Sequence, residues 1–188
     1  MAIQLYEQSN NAGSHVGRDV EIEYPGVSSC ITVTFYFPKW MAGGPILVGA
    51  HFGMFDGGVN IKTATIDNMI TQMRALFLGT SAQTYTPANY LVIGQIGNWH
   101  GMLTERNYLY KKIAQTAGVA QISDEHCWDI GSDGFESATI KVTTSGQIKV
   151  SGNRPVKVLG TVKDEFGYTY PYPVSQPQAA TRQRVFEL

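Results

Sequence analysis

Apolar and polar positions alternate over much of this chain, and the period sets out its elements. Val20, Ile22 and Tyr24 alternate with Glu21 and Glu23, the two-residue repeat of a strand with one buried face, and Pro25-Gly26 predicts its end. After a short turn, CITVTFYF sets Ile31, Val33, Phe35 and Phe37 against Cys30, Thr32, Thr34 and Tyr36, which predicts a core face and a polar face. PILVGA is almost wholly apolar and suits a strand buried on both faces, with His51 at its exit. AIQLY, NYLVIGQIG, HCWDI and VKVLGTV are further strand signals, and ATIKVTT and QIKV form a hairpin about Ser145-Gly146.

Two segments change period. From Thr63 to Leu78, Ile66, Met69, Ile70, Met73 and Phe77 recur at spacings of three and four, the stripe of an amphipathic helix, with Thr63 or Thr65 as cap and Gly79 as end. A second helix is expected from about Thr104 to Ala117, with Leu109, Ile113 and Ala117 on one face and Gly118 as C-cap. Between them, Gln95 to Gly101 reads as a loop. From Phe166 onward the chain carries Pro171, Pro173 and Pro177 with little periodicity, an extended segment packed on the body or a loose tail. The expected organisation is one domain over 1–165 followed by the Pro/Tyr-containing segment 166–188. Its class is a mixed α+β sandwich, two helices on one side of β-sheet layers.

Composition narrows the function. The 188 residues are 43% hydrophobic and 15% charged, with 20 glycines, as in a globular domain with many tight turns. A net charge of -1 argues against nucleic acid or an anionic membrane surface as partner. No run approaches the ~18 apolar residues of a membrane span, and MAIQLYEQSN lacks the parts of a secretory signal. The expectation is a monomer made in the cytoplasm without membrane insertion, an export route independent of a signal peptide remaining open. Neither GxGxxG nor GxxxxGK[ST] occurs, and no cofactor is expected.

The candidate chemistry lies between Tyr24 and Gly58. A cysteine opens an apolar strand after a turn of small residues, and the next strand delivers a histidine into a Gly-flanked loop. A thiol becomes a useful nucleophile as thiolate, and an imidazole brought alongside takes its proton, so Cys30 and His51 are the candidate pair. Their bland alternatives are a buried cysteine acting as a small hydrophobe and a structural histidine. Cys127 and His126 are adjacent on a strand and point to opposite faces, which argues against their serving each other. His51, His100, His126 and Cys127 lack the paired spacing of a zinc site, so no metal is expected, and cytoplasmic thiols argue against a Cys30–Cys127 disulfide.

The order of these parts resembles the chemoreceptor glutamine deamidase (CheD) family. The matching pieces are Ser28-Ser29-Cys30, Ala50-His51-Phe52, Gly57-Gly58, Gly94 to Gly97, Glu105-Arg106-Asn107 and Gly146, spanning roughly Val20 to Val150. Toxins of the cytotoxic necrotizing factor and Burkholderia lethal factor type are similar to that family in fold and in a Ser-Gly-Cys turn. The resemblance implies a layered α-β-β sandwich and a bacterial cysteine hydrolase that converts a protein-bound glutamine to glutamate. Cys30 would be the nucleophile and His51 the base, with backbone N–H groups of the Ser28-Ser29-Cys30 turn holding the oxyanion. The implied partner is a protein substrate carrying the glutamine, and an exported effector or toxin is one setting. The chain departs from the family at Ser29, where glycine is usual, and at Tyr24, where CheD has threonine. Tyr24 therefore marks the place of the third catalytic residue, or of a backbone carbonyl near it that orients His51. Trp99 and His100 are expected on the substrate rim, with Trp40, Phe52 and Phe55 in nearby loops. The alternatives are an inactive protein-binding module of the same fold and a transglutaminase, in which an amine replaces water.

Overall fold

The computed structural model describes residues 2–6, 12–16, 20–40, 44–56, 59–78, 87, 89–102, 105–163 and 165–185. In chain order the strands are β1 Ala2–Gln4, β2 Ala12–Val16, β3 Glu21–Val27, β4 Ile31–Trp40, β5 Gly44–Phe52, β6 Phe55–Asp56 and β7 Val59–Asn60. Helix α1, Thr63–Leu78, leads to β8, Asn89–Gly94, and then come α2, Ile96–Met102, and α3, Glu105–Ala117. A 3-10 turn at Asp124–His126 precedes β9 Cys127–Asp129, β10 Ser137–Thr143, β11 Gln147–Lys163 and β12 Thr169–Val185. The class is α+β: two mixed five-stranded sheets, ordered β1-β3-β10-β11-β12 and β2-β5-β4-β8-β9, form a sandwich with the helices.

Two apolar cores define the layers. Ile31, Val33, Phe35 and Phe37 of β4 and Ile46 and Val48 of β5 pack with Ile66, Met69 and Met73 of α1 and Ile113 of α3. The opposite faces of these strands meet the first sheet, where Leu47, Leu91 and Ile93 join Ile22, Tyr24, Ile140 and Val150. The face of β4 expected to be polar is therefore buried as well: Thr32 and Thr34 lie between the sheets, each closing a hydrogen bond, Thr32 Oγ1 to the Ile93 carbonyl at 2.8 Å and Thr34 Oγ1 with the Tyr24 hydroxyl at 2.6 Å. Threonine meets that demand because its methyl packs while its hydroxyl bonds. Helix α3 ends as expected at Gly118, whose φ of 71° accompanies bonds from Gly118 N to Gln115 O and from Val119 N to Ala114 O. Gly79, the expected end of α1, lies outside the described residues.

Pro25-Gly26 does not end β3. Ala138 pairs with Val27 and Ile140 with Tyr24, so the two residues bulge opposite Thr139, with Gly26 at φ 71°. QIKV and VKVLGTV merge into β11, and the C-terminal segment becomes β12, paired with β11 from Gln147↔Val185 to Lys163↔Thr169. Beyond Asn153, the last partner of β10, β11 and β12 continue as a two-stranded ribbon. Pro177 faces Pro155, and Pro171 and Pro173 face Thr161 and Leu159. Proline donates no N–H, so these are the non-hydrogen-bonded pairs, and the missing donors fall on the ribbon's outer edges, where they discourage pairing with further strands.

A close backbone approach ties β8 to the start of β4. Gly94 pairs with Ile31, and a Cβ at Gly94 would fall against the Cys30 carbonyl and the Ile31 Cα. Neither obstacle is a movable side chain, so Gly94→Ala is expected to destabilise the fold by ~1–3 kcal/mol, read as a lowered urea midpoint at unchanged slope.

Candidate active site

His51 is placed by the ladder between β4 and β5. Thr32 pairs directly with His51 on one face of the sheet, and Cys30 lies two residues before Thr32, just ahead of the start of β4. That face looks between the sheets, and both side chains are 0% exposed. The His51 Nδ1 lies 3.0 Å from the Leu5 carbonyl oxygen. A carbonyl only accepts, so Nδ1 carries the proton in the neutral ring and Nε2 keeps its lone pair, the tautomer a general base needs. Leu5 is itself fixed by its N–H to the Glu23 carbonyl at 2.8 Å, beside Tyr24.

Tyr24 stands against the imidazole by its ring, not its hydroxyl. The ring centroids are 6.1 Å apart at 89°, an edge contact. The hydroxyl meets Thr34 Oγ1 at 2.6 Å and the Val33 carbonyl at 3.2 Å, and burial holds its pKa well above the ordinary tyrosine value. Gly49 makes room for it, since a Cβ there would overlap the hydroxyl.

The turn before Cys30 is held from the β8–α2 side. The Trp99 indole N–H donates to the Ser29 carbonyl at 2.7 Å, and the Gln95 N–H donates to the Cys30 carbonyl at 3.0 Å. In a trans peptide the C=O and the following N–H point in opposite directions, so the Trp99 bond turns the Cys30 N–H away from the indole. Trp99 is thus not a rim residue. Gln95 to Gly101 is helical over α2, where Trp99 is fully buried in the helix-side core; Phe52 is core too, and Phe55 is exposed. His100 lies on α2 and Trp40 on β4, their side chains outside the described set. Ser28 is exposed and lines a cavity of about 500 Å³ with Gln95, Asn98, Asp129, Gly131 and Glu136. Sequence reasoning passed over Gln95, whose signal was a polar residue directly after a buried strand.

The rival residues stand apart from this arrangement. His126 stacks on Tyr90 with centroids 4.6 Å apart, and Cys127 begins β9. Burial first, and the Asp124 charge second, push the Cys127 thiol up to about 11. Among the described residues, no group of three or more His, Cys, Asp or Glu is placed to hold a metal ion, and no helix is long and apolar enough to cross a membrane.

No family model, curated protein or solved structure matches this chain.

Two measurements follow from the geometry. Tyr24→Phe keeps the ring edge against His51 and removes the hydroxyl, leaving Thr34 without that partner, so a loss of ~1–3 kcal/mol in urea-measured stability is expected. In a Cys30→Ala background, Cys127 should react with iodoacetamide ~100-fold more slowly at neutral pH than an unburied thiol. The rate should rise with pH towards about 11, because the raised pKa keeps the thiol protonated until then.

Proposed function

We propose that the chain is a protein-glutamine deamidase with Cys30 as nucleophile and His51 as base. The observation that carries this reading is the burial of His51 opposite Thr32, two residues from Cys30, with its Nδ1 bonded to the Leu5 carbonyl. The ordered motif resemblance to the CheD family supports it. Nε2 takes the thiol proton, and the thiolate attacks the glutamine amide carbon, placing charge on the amide oxygen. The Cys30 N–H, directed by Trp99, is a donor for that oxygen. As the tetrahedral adduct collapses, the imidazolium protonates the departing nitrogen and ammonia leaves a thioester. Nε2 then deprotonates a water, which attacks the thioester, and the sulfur leaves as a glutamate side chain is released. Leu5 supplies the main-chain oxygen that keeps Nε2 as the basic nitrogen.

Cys30 is 0% exposed, so the conformation described is closed over the sulfur, and attack requires a local opening that uncovers it. The same burial favours a second reading, a protein-binding module that keeps the fold without turnover. Incubation with chemoreceptor cytoplasmic domains and with host-cell lysate, followed by peptide mass spectrometry, should show glutamine-to-glutamate conversion and ammonia release. His51→Ala is expected to lower the rate ~100- to 10,000-fold and Cys30→Ala to abolish it; a Cys30→Ala protein as active as wild type overturns the enzymatic reading. Alkylation of Cys30 no faster than that of free cysteine at neutral pH favours the module. Adducts formed with an added primary amine assign transamidation instead.

A further inference from the structure

Beyond Asn153 the two-stranded ribbon of β11 and β12 has two unlike edges. The Glu136 N–H donates to the Asn153 carbonyl at 3.2 Å, so the odd-numbered residues of β11 turn their backbone groups towards β10 and away from β12. That parity continues past the end of β10 through Pro155, Lys157, Leu159, Thr161 and Lys163. From Lys157 onward no described strand pairs with this edge, and each of its outward residues has both an N–H and a C=O to offer. On β12 the corresponding outward positions are Thr169, Pro171, Pro173, Ser175 and Pro177, and the three prolines lack a donor. One edge is closed to a further strand, and the other is open.

The ribbon also gains from a third strand. Two strands alone are marginal in water, and a third with an apolar face is what gives a sheet independent stability. Val156, Val158 and Val162 occupy alternate register positions and pair with Gln176, Val174 and Tyr170, so an apolar parity runs along the ribbon. At its far end Phe166 is 78% exposed and Tyr168 66%, surface of the kind that interfaces bury. Charge restricts the occupant. Arg154, Lys157 and Lys163 lie on this stretch of β11, which holds no Asp or Glu, and Arg154 lines a cavity of about 340 Å³ at its root with Val156 and Gln178. A second copy laid along the same edge would set one lysine-bearing strand against another, which is how edge lysines prevent self-pairing. A strand with carboxylates at those positions meets no such penalty.

We propose that the β11 edge from Lys157 to Lys163 is a docking site for an extended acidic segment of a partner protein, which adds to the ribbon as a third strand. Main-chain hydrogen bonds to Lys157, Leu159, Thr161 and Lys163 supply the affinity. Carboxylates opposite the two lysines, with β-branched residues between them, supply the selection. The site makes no use of the chemistry at Cys30, and it stands whether or not the chain turns over a substrate.

The test titrates the full chain with the peptide acetyl-Glu-Val-Thr-Val-Thr-Val-Glu-amide, which sets a carboxylate opposite each lysine in either strand direction. A control peptide carries lysine at both ends. Amide hydrogen exchange followed by NMR reads the edge directly. In the free protein the Leu159 and Thr161 amides should exchange at least ~10-fold faster than those of Val158 and Gly160, which face β12, and saturating acidic peptide should slow them ~10-fold. The basic peptide should bind at least ~10-fold more weakly. Thr161→Pro faces Pro171 as Pro155 faces Pro177, so it removes one outward donor and spares the ladder with β12. It should keep its urea midpoint and weaken the acidic peptide ~10-fold. If that variant does not fold, Lys157→Glu combined with Lys163→Glu decides, since it should reverse the ranking of the two peptides. Equal affinity for both peptides, unchanged binding by folded Thr161→Pro, or no slowing of the outward amides up to the peptide's solubility overturns the proposal. Outward amides already protected in the free protein, with the mass of a dimer in sedimentation, assign the edge to a second copy and overturn it too.

Discussion

The inner face of β4, β5 and β8 is closed to water, and each polar group on it has to find its hydrogen bond inside the protein. Thr32, Thr34, His51 and Gln95 all sit there or at its edge, each 5% exposed or less. A buried donor or acceptor left unsatisfied costs ~1–3 kcal/mol, a large share of the stability of a domain. The Ile93 carbonyl, the Tyr24 hydroxyl, the Leu5 carbonyl and the Phe135 carbonyl meet these groups in turn. The Leu5 carbonyl fixes a histidine tautomer, and the Phe135 carbonyl fixes the sense of an amide. What dryness demands for stability also fixes how the His51 ring and the Gln95 amide are oriented, which is what preorganised chemistry needs.

That demand draws the two ends of the catalytic proposal from distant parts of the chain. Leu5 is 46 residues from His51, and its carbonyl arrives because β1 runs parallel to β3 on the opposing sheet. Cys30 and His51 could be nominated as a pair because a small-residue turn and a Gly-flanked histidine are side-chain signals. The Leu5 carbonyl could not, since every residue carries one and only tertiary packing selects it. The sequence offered Tyr24 or a backbone oxygen near it; the carbonyl that the His51 ring meets is that of Leu5, whose N–H bonds the Glu23 carbonyl.

The remaining departures share a cause: local signals decided by contacts that are not local. Period two in CITVTFYF announced a strand, but alternation alone does not distinguish a wet face from a threonine-lined seam between sheets. Pro25-Gly26 carries a strong turn signal, yet pairing on both sides carried β3 through it as a bulge. IGNWHGM has two glycines in seven residues, a poor helix by propensity, and is helical with Trp99 buried in the core and bonded to Ser29. Pro171, Pro173 and Pro177 argued for an irregular tail, but together with Pro155 they fall at matching parity along two antiparallel strands and leave the ladder intact.

The buried sulfur of Cys30 bears directly on how such a site would work. The backbone of its turn is held by two described hydrogen bonds, from Trp99 to the Ser29 carbonyl and from Gln95 to the Cys30 carbonyl. Each contributes ~1 kcal/mol net, and uncovering the sulfur also exposes a residue of the inter-sheet core, so opening is a local unfolding of that corner of the sandwich. A thiol covered most of the time is protected from oxidation and adventitious alkylation, and a substrate that binds only the open form shifts the population towards it.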